Sequence, residues 1–160
     1  MKIFLAIALL IMASCAPQQT AYIHVDKSKR TLTLLDALEK PIKQYRVALG
    51  TNPVGHKTTE GDGRTPEGLY SIIAHNPNSQ YHKSIYISYP NAKDREQAKQ
   101  RGVKPGGDIV IHGRGKGTGW QITKYTARGD WTLGCIAVTD QEMDEIYASV
   151  PDGTPILIEP

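Results

Sequence analysis

The sequence predicts a mainly β domain, a β-rich α+β fold of the sandwich or open-barrel type with two short helices. Three observations support this class: many short runs of β-favouring residues, turn residues between those runs, and only two stretches with helix signals. The 160 residues are enough for one domain with a substantial core. The formal net charge of +3 is too small to indicate nucleic-acid binding, so we predict no nucleic-acid partner.

The first half of the predicted fold is a three-stranded meander followed by a long loop. Strands are predicted at residues 22–25, 30–35 and 42–49, with turn residues at 26–29 and 38–41. Residues 50–66 are polar and rich in glycine. A loop of that length inside a compact domain is usually functional or mobile.

The second half alternates strands with the two helices. Strands are predicted at residues 68–74, 84–89, 108–111 and 154–159, and a polar helix is predicted at 94–101, before Gly102 and Pro105. A capping box from Thr139 to Glu142 begins the second helix. The apolar stripe of that helix consists of Met143, Ile146, Tyr147 and Val150.

The N-terminus predicts export. Lys2 precedes an apolar run that is too short for a membrane-spanning helix of about 20 residues. Residues 12–15, Met-Ala-Ser-Cys, resemble a bacterial lipoprotein cleavage box, which predicts a signal peptide at 1–14, lipidation of Cys15, a tether at 15–20 and a folded domain at 21–160. Ala16 after the cysteine suggests an outer-membrane destination, facing the periplasm. Ordinary secretion with cleavage nearby is the alternative.

Cys135 is then the one free thiol of the mature chain. Exported domains usually pair their cysteines, so an unpaired one should be buried or chemically employed. A thiol attacks carbonyl groups as the thiolate, and with a free pKa of about 8.5 it needs a base nearby. His112 ends a buried-looking strand beside Gly113 and is the predicted base, which would take the thiol proton and return it to a leaving amine.

Simpler interpretations exist for each feature. Cys135 could be a small buried hydrophobe, and His112 could be a structural histidine at a strand end.

A thiol redox protein is disfavoured because the chain has no Cys-x-x-Cys motif. The glycines of residues 113–119 fit neither common phosphate-binding template. The histidines have no recognisable zinc spacing with Cys135, so no metal or other cofactor is predicted. The basic excess of residues 113–130 is either a solvated loop or a funnel for an anionic substrate.

An ordered set of motifs resembles the L,D-transpeptidases, the YkuD-type catalytic domain that acts on bacterial peptidoglycan. The set comprises Ile111-His112-Gly113, Gly134-Cys135-Ile136 and the segments at 61–68, 87–91, 130–132 and 150–155. Several segments are typical of the subgroup containing the periplasmic enzyme that releases the major outer-membrane lipoprotein from peptidoglycan. Leu133 and Ala137 replace the histidine and arginine usual in the wider family, which puts the choice of substrate and acceptor in doubt more than catalysis.

The resemblance implies a peptidoglycan-modifying cysteine acyltransferase with an L,D-transpeptidase-like fold. Cys135 would form a thioester with stem peptides that contain meso-diaminopimelate, and the Gly113 carbonyl would orient His112. The natural donors to the oxyanion are the main-chain N–H groups of Gly134 and Cys135. Family members characteristically accept carbapenems as acylating agents.

Four residues are candidate substrate contacts, and three biological outcomes stay open. Arg114 could bind a diaminopimelate carboxylate, while Thr132, Trp131 and His56 could line the cleft. The thioester could pass to another stem peptide, to a lysine of a protein such as a peptidoglycan-attached lipoprotein, or to water, which would make the enzyme an L,D-amidase or hydrolase. An alternative of another class is a non-catalytic peptidoglycan-binding lipoprotein, held at the membrane by its N-terminal lipid.

Overall fold

The structure is a computed structural model that describes residues 19–115 and 129–160. The predicted signal peptide, Cys15 and most of the basic 113–130 segment therefore lie outside the described residues. The described part forms eight strands and two helices, which confirms the mainly β class. In chain order these elements are β1 Tyr22–Asp26, β2 Thr31–Leu35, β3 Pro41–Arg46, β4 Gly68–Ser79, β5 His82–Ile87, α1 Ala92–Gln100, β6 Val110–His112, β7 Ile136–Ala137, α2 Asp140–Ser149 and β8 Pro155–Glu159.

All eight strands join in one sheet with the order β3-β2-β1-β8-β4-β5-β6-β7. The last strand of the sequence, β8, lies in the middle, parallel to β1 and antiparallel to β4. The chain after β3 then reaches the opposite edge of the sheet, where the N–H of Ala48 donates to the oxygen of Ala137 at 2.9 Å and the N–H of Ala137 donates back at 2.8 Å. The sheet therefore curls until its two edges touch, as an open barrel does.

The core fills the interior of this curled sheet. Its fully buried side chains come from nearly every strand and from α2, and include Ile23, Leu32, Ile72, Ile85, Ile111, Ile136, Met143, Ile146 and Ile156. Complete burial of each such side chain contributes about 1.5–3 kcal/mol. The capping box predicted for α2 is present, with Thr139 at the N-cap and Glu142 at the third helical position. Helix α2 thus packs through Met143 and Ile146 against the sheet that carries the candidate site.

Several element boundaries differ from the predictions, among them those of β5 and β6, and the short strand β7 was not predicted. Helix α1 begins at Ala92 rather than at residue 94, because Asn91 is the N-cap and Asp94 completes a capping box with it. Strand β3 ends at Arg46 rather than at residue 49, since the chain leaves β2 there to reach the far edge of the sheet. Strand β4 continues to Ser79 and forms a long hairpin with β5. In the part of the chain that the structure describes, no helix has the length and apolarity needed to span a bilayer.

Candidate active site

Neighbouring parallel strands bring the predicted nucleophile and base together. In the register of β6 and β7, Ile111 pairs with Ile136 and His112 pairs with Ala137. Cys135 immediately precedes β7, two residues before the partner of His112. Ideal parallel strands, with a spacing of about 4.8 Å and a rise of about 3.3 Å per residue, would place the two Cα atoms about 8 Å apart if the ladder were continued from β7 back to Cys135. The same continuation would put both side chains on one face of the sheet.

The hydrogen bond of the His112 ring defines its tautomer. Nδ1 lies 2.5 Å from the carbonyl oxygen of Gly113, the contact that the sequence analysis anticipated. A carbonyl oxygen can only accept, so Nδ1 carries the proton and the lone pair remains on Nε2. The side chain is only 2% exposed. The imidazole is thus fixed in the form that can take a proton through Nε2.

Two aromatic rings flank this imidazole. The Tyr81 ring centroid is 4.5 Å from that of His112, with planes tilted by 31°. Trp131 meets the imidazole edge-on at 5.7 Å. Both rings restrict the rotation of His112. Tyr81 was not predicted, because it reaches the site through the β4–β5 hairpin rather than through a local motif.

Burial shifts both titrating groups towards their neutral forms. It lowers the pKa of His112, and the hydrogen bond to Gly113 opposes this only in part. It also raises the pKa of the Cys135 thiol, against the smaller opposing effects of the Val110 N–H and the Lys57 charge. The thiol donates weakly to the carbonyl of Asp108, with the sulfur 3.7 Å from that oxygen. At neutral pH the resting pair is therefore a thiol and a neutral imidazole.

The turn that carries Cys135 is held by Thr132. Its hydroxyl donates to the Cys135 carbonyl at 2.7 Å and accepts the N–H of Gly134 at 3.1 Å. The predicted contact between Thr132 and substrate thus involves a hydroxyl that is already engaged within its own turn. The same bond occupies the Gly134 N–H, so the predicted oxyanion role of that group requires this bond to be exchanged when substrate binds.

Glycine is required at position 134 by a close approach of main chain. Its φ is +134°, and a Cβ there would lie 2.6 Å from the carbonyl oxygen of Arg64. The turn that carries Cys135 is therefore pressed directly against the long loop that follows β3.

That loop is pinned by two buried lysines. Lys27 donates to the carbonyls of Gly55 and Thr65, at 2.8 and 3.1 Å, and pairs with Glu67 at 2.7 Å. Lys57 donates to Asp62 at 2.9 Å. Burial by itself would raise the pKa of Asp62, but Lys57 and three main-chain N–H groups lower it to about 2. Of the two interpretations of residues 50–66, functional or mobile, these contacts favour an ordered wall of the site.

His56 acts within this loop rather than in the cleft. Its Nδ1 accepts the N–H of Glu67 at 3.0 Å, and its Nε2 lies 3.2 Å from a carboxylate oxygen of Asp94 in α1. One ring nitrogen therefore holds the end of the loop at Glu67, and the other ties the loop to α1. The prediction that His56 lines the cleft rested only on its position in a long loop, which does not say where the ring points.

Arg114 and the first turn of α2 lie beside the segment that follows His112. The Arg114 N–H donates to a carboxylate oxygen of Asp140 at 2.5 Å. Burial lowers the pKa of the Arg114 guanidinium, while the charges of Glu142 and Asp140 oppose that shift. A substrate carboxylate would have to share Arg114 with these two acids.

No set of three or more histidine, cysteine or acidic side chains is arranged to hold a metal ion within residues 19–115 and 129–160.

The comparison with known families defines the class. The sequence matches the L,D-transpeptidase catalytic domain, YkuD, over residues 20–158. The chain therefore belongs to the YkuD family of L,D-transpeptidase catalytic domains, as its motifs indicated.

Individual relatives agree with this assignment. The chain is similar to YafK of Escherichia coli K12, whose name provisionally assigns it to the L,D-transpeptidases. The two sequences are 31% identical over 134 residues, which cover 81% of this chain and 46% of YafK. The chain thus spans about half the length of that relative. Its fold is similar to that of the helical cell shape determining protein Pgp2 of Campylobacter jejuni, with a TM-score of 0.66, 24% identity and coverage of 89% of this chain and 48% of Pgp2. An L,D-transpeptidase of Mycobacterium smegmatis shares the fold with a TM-score of 0.58, 13% identity and coverage of 89% and 59%.

Proposed function

We propose that this domain is a peptidoglycan-modifying cysteine acyltransferase that acts on stem peptides containing meso-diaminopimelate through a thioester on Cys135. Family membership supports the reaction class and the cell-wall context. The observation that carries the proposal is the hydrogen bond from Nδ1 of His112 to the Gly113 carbonyl. It leaves Nε2 as a base on the strand next to the thiol.

The proposed acylation step needs only the Cys135 thiol and the His112 imidazole. Sγ attacks the amide carbon on the carboxyl side of the L-centre of diaminopimelate, while Nε2 takes the thiol proton. The carbon–nitrogen bond then breaks, and Nε2 gives that proton to the leaving amine. The main-chain N–H of Cys135 is our first candidate donor to the transient oxyanion, since Thr132 already occupies that of Gly134.

Deacylation regenerates the thiol by the same route in reverse. An amine or a water adds to the thioester carbon and gives its proton to Nε2, and Sγ leaves and recovers the proton. An amine from a second stem peptide makes a cross-link, while water makes the enzyme a hydrolase that trims stems or releases a bound lipoprotein. Leu133, two residues before Cys135, is 77% exposed and offers the acceptor an apolar surface rather than the histidine usual in the family.

The proposal places the domain in the periplasm, tethered to the outer membrane through lipidated Cys15. This part rests on the sequence pattern of residues 1–15 and on the location of the substrate. Labelling of cells with a palmitate analogue tests it: the full chain should take up label and Cys15→Ser should not. Label in that variant would contradict lipidation at Cys15.

Muropeptide digestion tests the reaction itself. The full-length protein, purified in detergent, is incubated with muropeptides that carry a bound lipoprotein fragment and with muropeptides that do not. New dimers should appear if it cross-links, and shortened stems or free lipoprotein remnants should appear if it hydrolyses. Cys135→Ser should remove all products, and His112→Ala should lower their rate by about 10²-fold or more. His24→Ala, on the distant strand β1, is the matched control and should be unchanged. Full activity in either active-site variant would refute the assignment.

A further inference from the structure

The segment after His112 is clamped by the first helical residue of α2. A single carboxylate oxygen of Asp140 accepts the N–H of Arg114 at 2.5 Å and that of Gly115 at 3.2 Å. These two N–H groups follow directly on the carbonyl that holds the His112 ring. We propose that Asp140 is the positioning residue of the catalytic base: it fixes residues 113–115 so that the Gly113 carbonyl keeps the proton on Nδ1 and leaves Nε2 free.

The opposite side of the clamp is the hairpin turn between β4 and β5. A Cβ at position 113 would lie 2.6 Å from the Asp140 carboxylate and 2.9 Å from the Tyr81 carbonyl. A Cβ at position 115 would overlap the carbonyl of Gln80. Glycine is needed at both positions because the segment passes between Asp140 and this turn without room for a side chain. This close approach accounts for two glycines that fitted no phosphate-binding template.

Asp140 is itself held rigidly. It follows the N-cap Thr139, whose N–H donates to Glu142 at 2.8 Å and whose hydroxyl accepts the Glu142 N–H at 3.2 Å. Two residues before Asp140, the N–H of Val138 donates to the His112 carbonyl at 3.0 Å. Together with the main chain that joins these residues, the three sets of hydrogen bonds link His112, residues 113–115 and Asp140 in a closed loop. A carboxylate at the start of a helix is also favourable with the helix dipole, which is the simpler role that an experiment must separate from positioning.

Three substitutions separate the two roles. Asp140→Ala removes both hydrogen bonds. Asp140→Asn keeps an oxygen in the same place without the charge, whereas Asp140→Glu keeps the charge but moves the oxygen by one methylene group. Positioning predicts that Asn is close to wild type and that Glu is impaired, while a helix-dipole role predicts the opposite order. Asp144→Ala, on the same helix with its carboxylate paired to His82 and Lys83, is the control for a lost surface acid.

The assay combines the rate of acylation by imipenem, a carbapenem, with nitrogen NMR of the His112 tautomer, both on the full chain in detergent. We expect Asp140→Ala to acylate about 10- to 100-fold more slowly, since small misplacements at a reacting centre have effects of this size. Asp140→Asn should remain within about threefold of wild type, because its carboxamide oxygen can accept both N–H groups. The NMR signal of the Nδ1-protonated His112 ring should persist in Asp140→Asn. In Asp140→Ala it should be replaced by the signals of a mixture of tautomers.

The pH profile adds a signature that general destabilisation would not produce. The bond to Gly113 raises the pKa of His112, so its loss in Asp140→Ala should move the acid limb of the rate profile to lower pH while the plateau falls. A wild-type rate and tautomer in Asp140→Ala would overturn the inference. Equal losses of acylation rate in Asp140→Asn and Asp140→Ala would also overturn it. So would a faster acylation of Asp140→Glu than of Asp140→Asn. If Asp140→Ala does not fold, the comparison of Asn with Glu decides.

This inference rests on the proposed function, yet the two can fail separately. If wild-type protein is not acylated, the proposed function fails, and the NMR comparison still tests the clamp. If wild type is acylated and all Asp140 variants match it in rate and tautomer, only the clamp is refuted.

Discussion

The resting ionisation of Cys135 and His112 gives the most quantitative prediction. Burial raises the pKa of the thiol above its free value of about 8.5 and lowers that of the imidazole below its ordinary value of 6.5. Each pH unit below a pKa changes the ionised ratio tenfold, so no more than about 3% of the thiol is a thiolate at pH 7. At least about three quarters of the imidazole is neutral at that pH. Proton transfer must then accompany attack on the substrate rather than precede it.

Two measurements against pH check this prediction: the thiolate absorbance near 240 nm and the rate of alkylation by iodoacetamide. Both should rise only above about pH 8.5, and kcat/KM should form a plateau between an acid limb below pH 6.5 and an alkaline limb above about pH 8.5. His112→Ala should lower acyl transfer by about 10²-fold or more yet leave alkylation at high pH nearly unchanged. A thiolate signal below pH 7 that disappears in His112→Ala would show a preformed ion pair and refute the reasoning.

Three further predictions concern the groups that support the site. Thr132→Val leaves the Gly134 N–H and the Cys135 carbonyl unpaired, so we expect the free energy of unfolding in urea to fall by about 1–3 kcal/mol and kcat to be lower. Thr132→Ser keeps the hydroxyl and should retain both the stability and kcat. Equal behaviour of the two variants would contradict this. Gly134→Ala should cost at least about 2 kcal/mol, because the Cβ meets a carbonyl at positive φ, while Gly107→Ala, with its nearest neighbour at 4.0 Å, should be mild. Because folding lowers the pKa of Asp62 from 3.8 to about 2, its ionisation should stabilise the fold by about 2 kcal/mol above pH 4, an effect that fades as pH falls through 2. Asp62→Asn should lose this increment at pH 7, and an unchanged pH dependence of its unfolding free energy would count against the assigned contacts.

Local signals in the sequence predicted the local structure well. The capping box and apolar stripe of α2 appear as expected, because both depend on residues within one helix. The meander β1–β2–β3 follows from turn residues between short strands. The start of α1 was misplaced because Asn91, as N-cap, competes with Asp94 for that role, and the sequence does not say which of two capping residues lies outside the helix.

Long-range features could not be predicted in the same way. The central position of β8 depends on a pairing with β1 more than a hundred residues away, and no local pattern encodes such a pairing. His56 was named for its position in a long loop and Thr132 for its position beside the Cys135 motif, but the polar atoms of both are already bonded to protein neighbours. Asp140 lies within the predicted capping box, but its hydrogen bonds to the N–H groups of residues 114 and 115 form only when α2 packs beside β6.

The central claim is that Cys135 becomes covalently acylated with His112 as its base. Intact-mass measurement of the full-length protein after incubation with a carbapenem tests it most directly. The account predicts a mass increase of one carbapenem on wild-type protein, slower formation in His112→Ala, and none in Cys135→Ser. An unchanged wild-type mass, or an adduct that persists in Cys135→Ser, would contradict it.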